Sequence, residues 1–162
     1  LADRPGSGGG PSFLRFVEEE LFPFVEGRYP SDPEHRVIAG VSFGGLFALY
    51  ALFEKPELFS GYVSMTPALR WDDAWIVRRE IEFRKTHPGL AKRLWLSVGD
   101  AEEPAKVSAA RAFFKQMERS RYKDLALRSR LMEGERHAAM KHESYNRGLR
   151  FVLAPIAPRP SE

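Results

Sequence analysis

Cysteine is absent from the 162 residues. That excludes disulfides, a thiolate nucleophile and Cys-based zinc sites. It leaves the compartment open, since many exported bacterial proteins also lack cysteine; the reading leans to the cytoplasm. No apolar run reaches the roughly 18 residues a membrane span needs, so no span is expected. An excess of one charge is missing too. Lys and Arg number 25 against 22 Asp and Glu, a formal net charge of +3, and the two signs are interleaved nearly throughout. Without a basic tract, nucleic acid is not an expected partner. No signal peptide is visible, although the chain begins with Leu1 rather than Met, and its true N-terminus is expected upstream. Internal repeats are lacking. Low complexity is confined to the Gly/Ser/Pro-rich residues 1–11, read as a loop or a cut end, and the Pro-rich residues 154–162.

What remains is an ordinary globular composition, long enough for one domain with a real core. Residues 12–28 have helical spacing. Phe13, Phe16, Val17, Leu21, Phe24 and Val25 recur on one side, Glu18, Glu19 and Glu20 supply the wet face, and Pro23 is expected to kink or split the helix. A turn-rich stretch, 29–35, leads to the apolar run 36–41, which reads as a buried parallel strand. The segment Phe43–Glu54 is apolar almost all round, as a buried helix is, and Pro56 stops it.

Further strands are expected at 61–66, 93–98 and 125–132, and further helices at 74–86, 104–121 and 138–153. In the helix at 74–86 the expected inner residues are Ile76, Val77, Ile81 and Phe83. Helices alternating with strands predict an α/β fold: a mostly parallel sheet with helices on both faces. In such sheets the chemistry sits beyond the carboxyl ends of the strands.

Gly40-Val41-Ser42-Phe43-Gly44 matches G-x-S-x-G. The bare pattern recurs by chance in unrelated chains, and a tight turn would explain it equally well. Its context is more informative, because it follows a strand directly and opens a buried helix, as a nucleophile elbow must. The sharp reversal at Ser42 lifts its hydroxyl above the sheet edge. Gly40 and Gly44 are expected to leave room for neighbouring backbone, and the Phe43 N–H to donate to an oxyanion.

A serine nucleophile needs a base. His35 and His87 fall in turns and His142 on a helix face, whereas His137 lies between the last strand and the last helix, which suits a general base. An acid should orient its imidazole. The loop after the strand at 93–98 offers Glu102, Asp100 and Glu103, in that order of preference, although acids at a helix start also serve the dipole. The chain order Ser42, acid, His137 is that of the α/β-hydrolases.

Ser42-Phe43-Gly44-Gly45-Leu46-Phe47-Ala48-Leu49-Tyr50, followed by Pro56-Glu57-Leu58-Phe59, resembles the esterase family that includes enterochelin-esterase-like and S-formylglutathione-hydrolase-like proteins. The helix at 12–28, Thr66-Pro67-Ala68-Leu69-Arg70-Trp71-Asp72 and Gly134-Glu135-Arg136-His137 are similar to further family segments, so the likeness runs over nearly all of the chain. It implies an α/β-hydrolase and a serine esterase acting on a small-molecule ester, siderophore esters among the candidates, with no metal or organic cofactor. The family pattern fits Glu102 best as the acid, and Arg70, Trp71 and Asp72 are candidates for the substrate-pocket wall.

Val41, Thr66 and Arg70 depart from the family's usual His, Ser and Trp, which leaves the substrate class open. The family carries further strands before the helix at 12–28, with a second oxyanion donor among them. The resemblance therefore implies that 1–162 is one N-terminally incomplete hydrolase domain, poorly stable and weakly active alone. Acyl transfer, thioester hydrolysis and a non-catalytic binding role are the competing readings.

Overall fold

The computed structural model describes residues 6–154. The expectations for residues 1–5 and 155–162 lie outside them. Each β-rich apolar run becomes a strand: β1 (Val37–Val41), β2 (Gly61–Met65), β3 (Arg93–Gly99) and β4 (Ala126–Met132). They form one parallel sheet in the order β1-β2-β3-β4. Register aligns Val41 with Met65 and Met65 with Ser97, so the carboxyl ends of β1, β2 and β3 open on one edge. Every residue of β2 is buried, which is why it carries no polar alternation.

Helices cover both faces, as the alternation predicts. On one face α1 (Gly10–Phe16), α3 (Phe43–Glu54), α4 (Trp71–Thr86) and α5 (Pro104–Ser120) enclose the larger core, around Leu49, Phe53, Tyr62, Phe83, Leu94, Leu96 and Phe113. On the other, α6 (Lys141–Leu153) closes a smaller core of Val63, Met65, Trp95, Met132, Met140 and Val152. The helix lies close because Gly148 has no side chain; a Cβ there would sit 2.7 Å from Val63. Ser144 ties it down, accepting from Trp95 Nε1 at 3.0 Å and lying 2.6 Å from Ser97 Oγ. Since α6 begins just after His137, this docking also bears on the loop that carries the base candidate.

Three local features of the helices go beyond what periodicity foresees. The interruption expected at Pro23 takes the form of a wider turn within a continuous helical run. A π-helical turn (Val17–Leu21) joins α1 to α2 (Phe22–Glu26), with Pro23 in the first turn of α2. A wider turn relieves the clash between a proline ring and the preceding carbonyls. The three residues Asp72, Asp73 and Ala74 turn left-handed, so the right-handed run of α4 starts after them, within a residue of the expected start at 74.

Contrary to expectation, Ile81 is not an inner residue; it is 37% exposed, while Glu80 is fully buried. The inner stripe is Ile76, Glu80 and Phe83, spaced i, i+4, i+7. The Glu80 carboxylate tolerates this because it is saturated with donors: Ser120 Oγ at 2.7 Å, Tyr122 OH at 2.8 Å and Gln116 Nε2.

Candidate active site

Ser42 sits between the end of β1 and the start of α3 with φ 57° and ψ −116°, a backbone conformation that non-glycine residues rarely adopt. Neighbouring backbone holds it there. Its N–H donates to Met65 O at 3.0 Å, and its carbonyl accepts from Leu46 N at 2.9 Å and Ala68 N at 3.1 Å. Close approach makes the turn possible. A Cβ on Gly40 would lie 2.2 Å from the Gly44 carbonyl, and one on Gly45 would lie 2.8 Å from Met65 O. Gly44 differs from expectation, since a Cβ there meets nothing within 4 Å. The crowded pair is therefore Gly40 and Gly45. Phe43 opens α3, so its N–H lies at the positive end of the helix.

The loop after β4 brings in His137. It is clasped to the loop after β3 at several points: Gly134 N–H donates to Asp100 Oδ1 at 2.7 Å, Ala101 N–H donates to Glu135 O at 3.1 Å, and Gly99 leaves no room for a Cβ against Glu135 O. This clasp sets Glu102 Oε2 2.7 Å from His137 Nδ1. The Glu102 side chain is 1% exposed and that of His137 40%. The other carboxylate oxygen, Oε1, accepts from Gly99 N–H at 3.3 Å.

The three acidic candidates thus have distinct places. Glu102 bonds the imidazole, and exposed Asp100 holds the clasp. Glu103 faces Arg70 Nη1 at 3.2 Å and Lys106 Nζ at 3.9 Å. The remaining histidines stand apart: His35 pairs with Asp32, His87 stacks on Phe83, and His142 is exposed.

Ser42, Phe43 and His137 line one cleft of about 700 Å³, together with Arg70, Trp71 and Asp72. An aromatic hollow of about 720 Å³, walled by Phe47, Tyr50 and Trp75, adjoins it and shares Phe43, Trp71 and Asp72. Trp71 belongs to wall and core alike; it packs on the larger core and donates from Nε1 to Ser7 Oγ at 3.2 Å. One contact escaped sequence reasoning. Thr66, noted only as a departure from the family's usual Ser, lies 3.2 Å through Oγ1 from His137 Nδ1. No local signal marks it, because the two residues are 71 positions apart.

Comparison with known proteins agrees with this fold. The family described as "Putative esterase" matches residues 2–147. The chain is similar to the ferri-bacillibactin esterase BesA of Bacillus subtilis, 30% identical over 166 residues, covering 97% of this chain and 56% of that protein. It is 39% identical over 105 residues to a siderophore enterobactin esterase of Emericella nidulans, covering 59% of this chain and 33% of that one. Among solved structures, the BES protein from Bacillus cereus superposes with a TM-score of 0.84 at 29% identity, over 92% of this chain and 56% of that one. An IroE-like serine hydrolase from Shewanella oneidensis gives 0.84 at 25%, over 93% and 50%. The chain spans about half the length of such relatives.

Proposed function

The chain belongs to this esterase family and has its α/β-hydrolase fold, and from that premise we infer that it carries the nucleophile, base and acid of a serine carboxylic-ester hydrolase. One observation carries the reading: Ser42, held at φ 57°, shares a cleft with an imidazole whose Nδ1 is bonded to a buried carboxylate at 2.7 Å.

The roles follow from the atoms. An ionised Glu102 accepts the Nδ1 hydrogen and so leaves the Nε2 lone pair as the basic site of His137. Nε2 takes the Ser42 hydroxyl proton as Oγ attacks the ester carbonyl. The Phe43 N–H donates to the oxyanion. The tetrahedral intermediate collapses, His137 protonates the departing alcohol, and an acyl group remains on Ser42. Water then enters, gives a proton to Nε2 and bonds the acyl carbon; as the Ser42 Oγ–carbon bond breaks, His137 returns that proton to Oγ and the carboxylic acid leaves. Arg70, Trp71 and Asp72 form the wall against which the substrate lies. The substrate class we infer is a siderophore ester, on the strength of relatives named as siderophore esterases.

The full-length protein tests this with a fluorophosphonate probe, p-nitrophenyl acetate and ferri-bacillibactin. Wild-type protein is expected to label once and to turn over both esters. Ser42→Ala should abolish labelling, and Ser42→Ala or His137→Ala should each lower kcat by at least about 10⁴-fold, because members of a triad act as a unit. Undiminished labelling or turnover in Ser42→Ala would falsify the assignment. Turnover of p-nitrophenyl acetate without any attack on the siderophore would overturn the substrate class alone.

A further inference from the structure

We propose that Thr66 is a positioning residue for the base: its hydroxyl is a second acceptor on His137 Nδ1 and, with Glu102, fixes the plane of the ring so that Nε2 faces Ser42. The proposal rests on the assignment of His137 as the base.

Two independent observations carry it. The first is the contact itself. Nδ1 lies 2.7 Å from Glu102 Oε2 and 3.2 Å from Thr66 Oγ1, and no other side chain bonds the ring among the described residues. The imidazole that serves as base has one hydrogen on Nδ1, and the shorter bond goes to the carboxylate. A single bond is a pivot about which the ring can swing, whereas two oxygens on one edge define its plane. His137 needs that restraint, being partly exposed on a loop whose backbone clasp ends at Gly134 and Glu135.

The second observation is backbone strain. Thr66 follows β2 directly and has φ 39°, although it is β-branched and almost fully buried. A β-branched residue in that region is an outlier that surrounding structure must hold in place. The holding bond is Thr66 N–H to Ser97 O at 2.7 Å. Such strain concentrates at functional sites, and here it accompanies the placing of a hydroxyl on the candidate base. Thr66 also sits beside the nucleophile turn, because its neighbours Met65 and Ala68 bond the Ser42 backbone.

The test compares Thr66→Val, which keeps the shape without the hydroxyl, with Thr66→Ser, which keeps the hydroxyl, in the full-length protein. Thr66→Ala is read alongside, removing both the hydroxyl and the branch at the strained position. The readouts are kcat/KM for p-nitrophenyl acetate against pH, the fluorophosphonate labelling rate, and Tm. Loss of one hydrogen bond at a charged ring predicts a fall of about tenfold in kcat/KM and labelling for Val and Ala.

Removing an acceptor also disfavours the protonated ring, so the acidic limb of the profile should move to lower pH. The other ionisable groups near the ring are unchanged: Glu102 on Nδ1, and Asp72, Asp73, Glu103, Arg70 and Lys106 along the cleft. Ser should stay within about threefold of wild type. An unmoved profile in Val and Ala, a limb moved to higher pH, or an equal loss in Ser overturns the proposal. So does a loss that only follows a lowered Tm. If wild-type protein itself fails to label, the Ser42 assignment falls and this one with it; a labelled wild type with an unmoved Val profile overturns this proposal alone.

Discussion

Exchanging Glu102 for glutamine changes almost no volume but reverses one hydrogen-bonding edge. In the native site Oε1 accepts from Gly99 N–H and Oε2 accepts from His137 Nδ1. A glutamine has one acceptor for these two positions. If its oxygen stays with Gly99, its NH₂ faces Nδ1, and the ring must take the tautomer with the hydrogen on Nε2. That tautomer cannot accept the Ser42 proton, and the equivalent change in serine proteases costs about 10⁴ in kcat, or ~5 kcal/mol. If the amide flips, a buried N–H donor at Gly99 is left facing another donor, at ~1–3 kcal/mol. The negative charge that supports the imidazolium is lost either way.

The expected fall in kcat for Glu102→Gln is therefore between about 10² and 10⁴. It is read in the full-length protein with p-nitrophenyl acetate, and with Tm to show that the fold persists. Asp100→Asn is the matched comparison. Its carboxylate accepts from Gly134 N–H on an exposed loop, a bond an asparagine oxygen also makes, so kcat should stay within about threefold. Glu102→Gln within threefold of wild type, or a deeper loss in Asp100→Asn, would refute the reasoning.

Two further outcomes follow from packing and burial. Gly44→Ala should leave Tm unchanged or raise stability by up to ~1 kcal/mol, since its Cβ enters open space in a helix, whereas Gly40→Ala drives a Cβ into the Gly44 carbonyl and should cost ~3 kcal/mol or more. Thermal melts of the two variants decide it, and equal Tm values would contradict the crowding argument. The Tyr122 phenol is pushed up, first by burial and then by its hydrogen bond to Glu80, and burial pushes Tyr62 the same way. The folded state therefore holds these protons longer than the unfolded chain. Their contribution to stability is full below about pH 10 and is lost as pH rises through the raised folded values. Chemical denaturation from pH 8 to 11 should show stability falling at the alkaline end, with a shallower fall in Tyr122→Phe; identical slopes would rule out the contribution from Tyr122.

Legibility followed the reach of each interaction along the chain. The order of helices and strands could be read because hydrophobic periodicity is a local property of each segment. The turn at Ser42 could be read for the same reason, since strand, G-x-S-x-G and buried helix are contiguous. Element ends shifted by a few residues where local chemistry was ambiguous: α6 begins at Lys141 rather than 138, after a run of turns. The inner face of α4 was misjudged because Ile81 is the more hydrophobic residue, while Glu80 is buried by partners on α5 and beyond that no local pattern announces.

By itself the sequence determined an alternating α/β chain, a strained serine between strand and helix, and a histidine in the loop before the last helix. Of the three carboxylates at 100, 102 and 103 it ranked Glu102 first, by family likeness and without any geometry. Tertiary structure alone decided which of them meets the imidazole, that Thr66 meets it too, and that Gly45 rather than Gly44 is the crowded partner of Gly40. The reason is distance along the chain. Glu102 and Thr66 lie 35 and 71 residues from His137, and only the parallel register of the strands with the clasp between two loops brings them within hydrogen-bonding range.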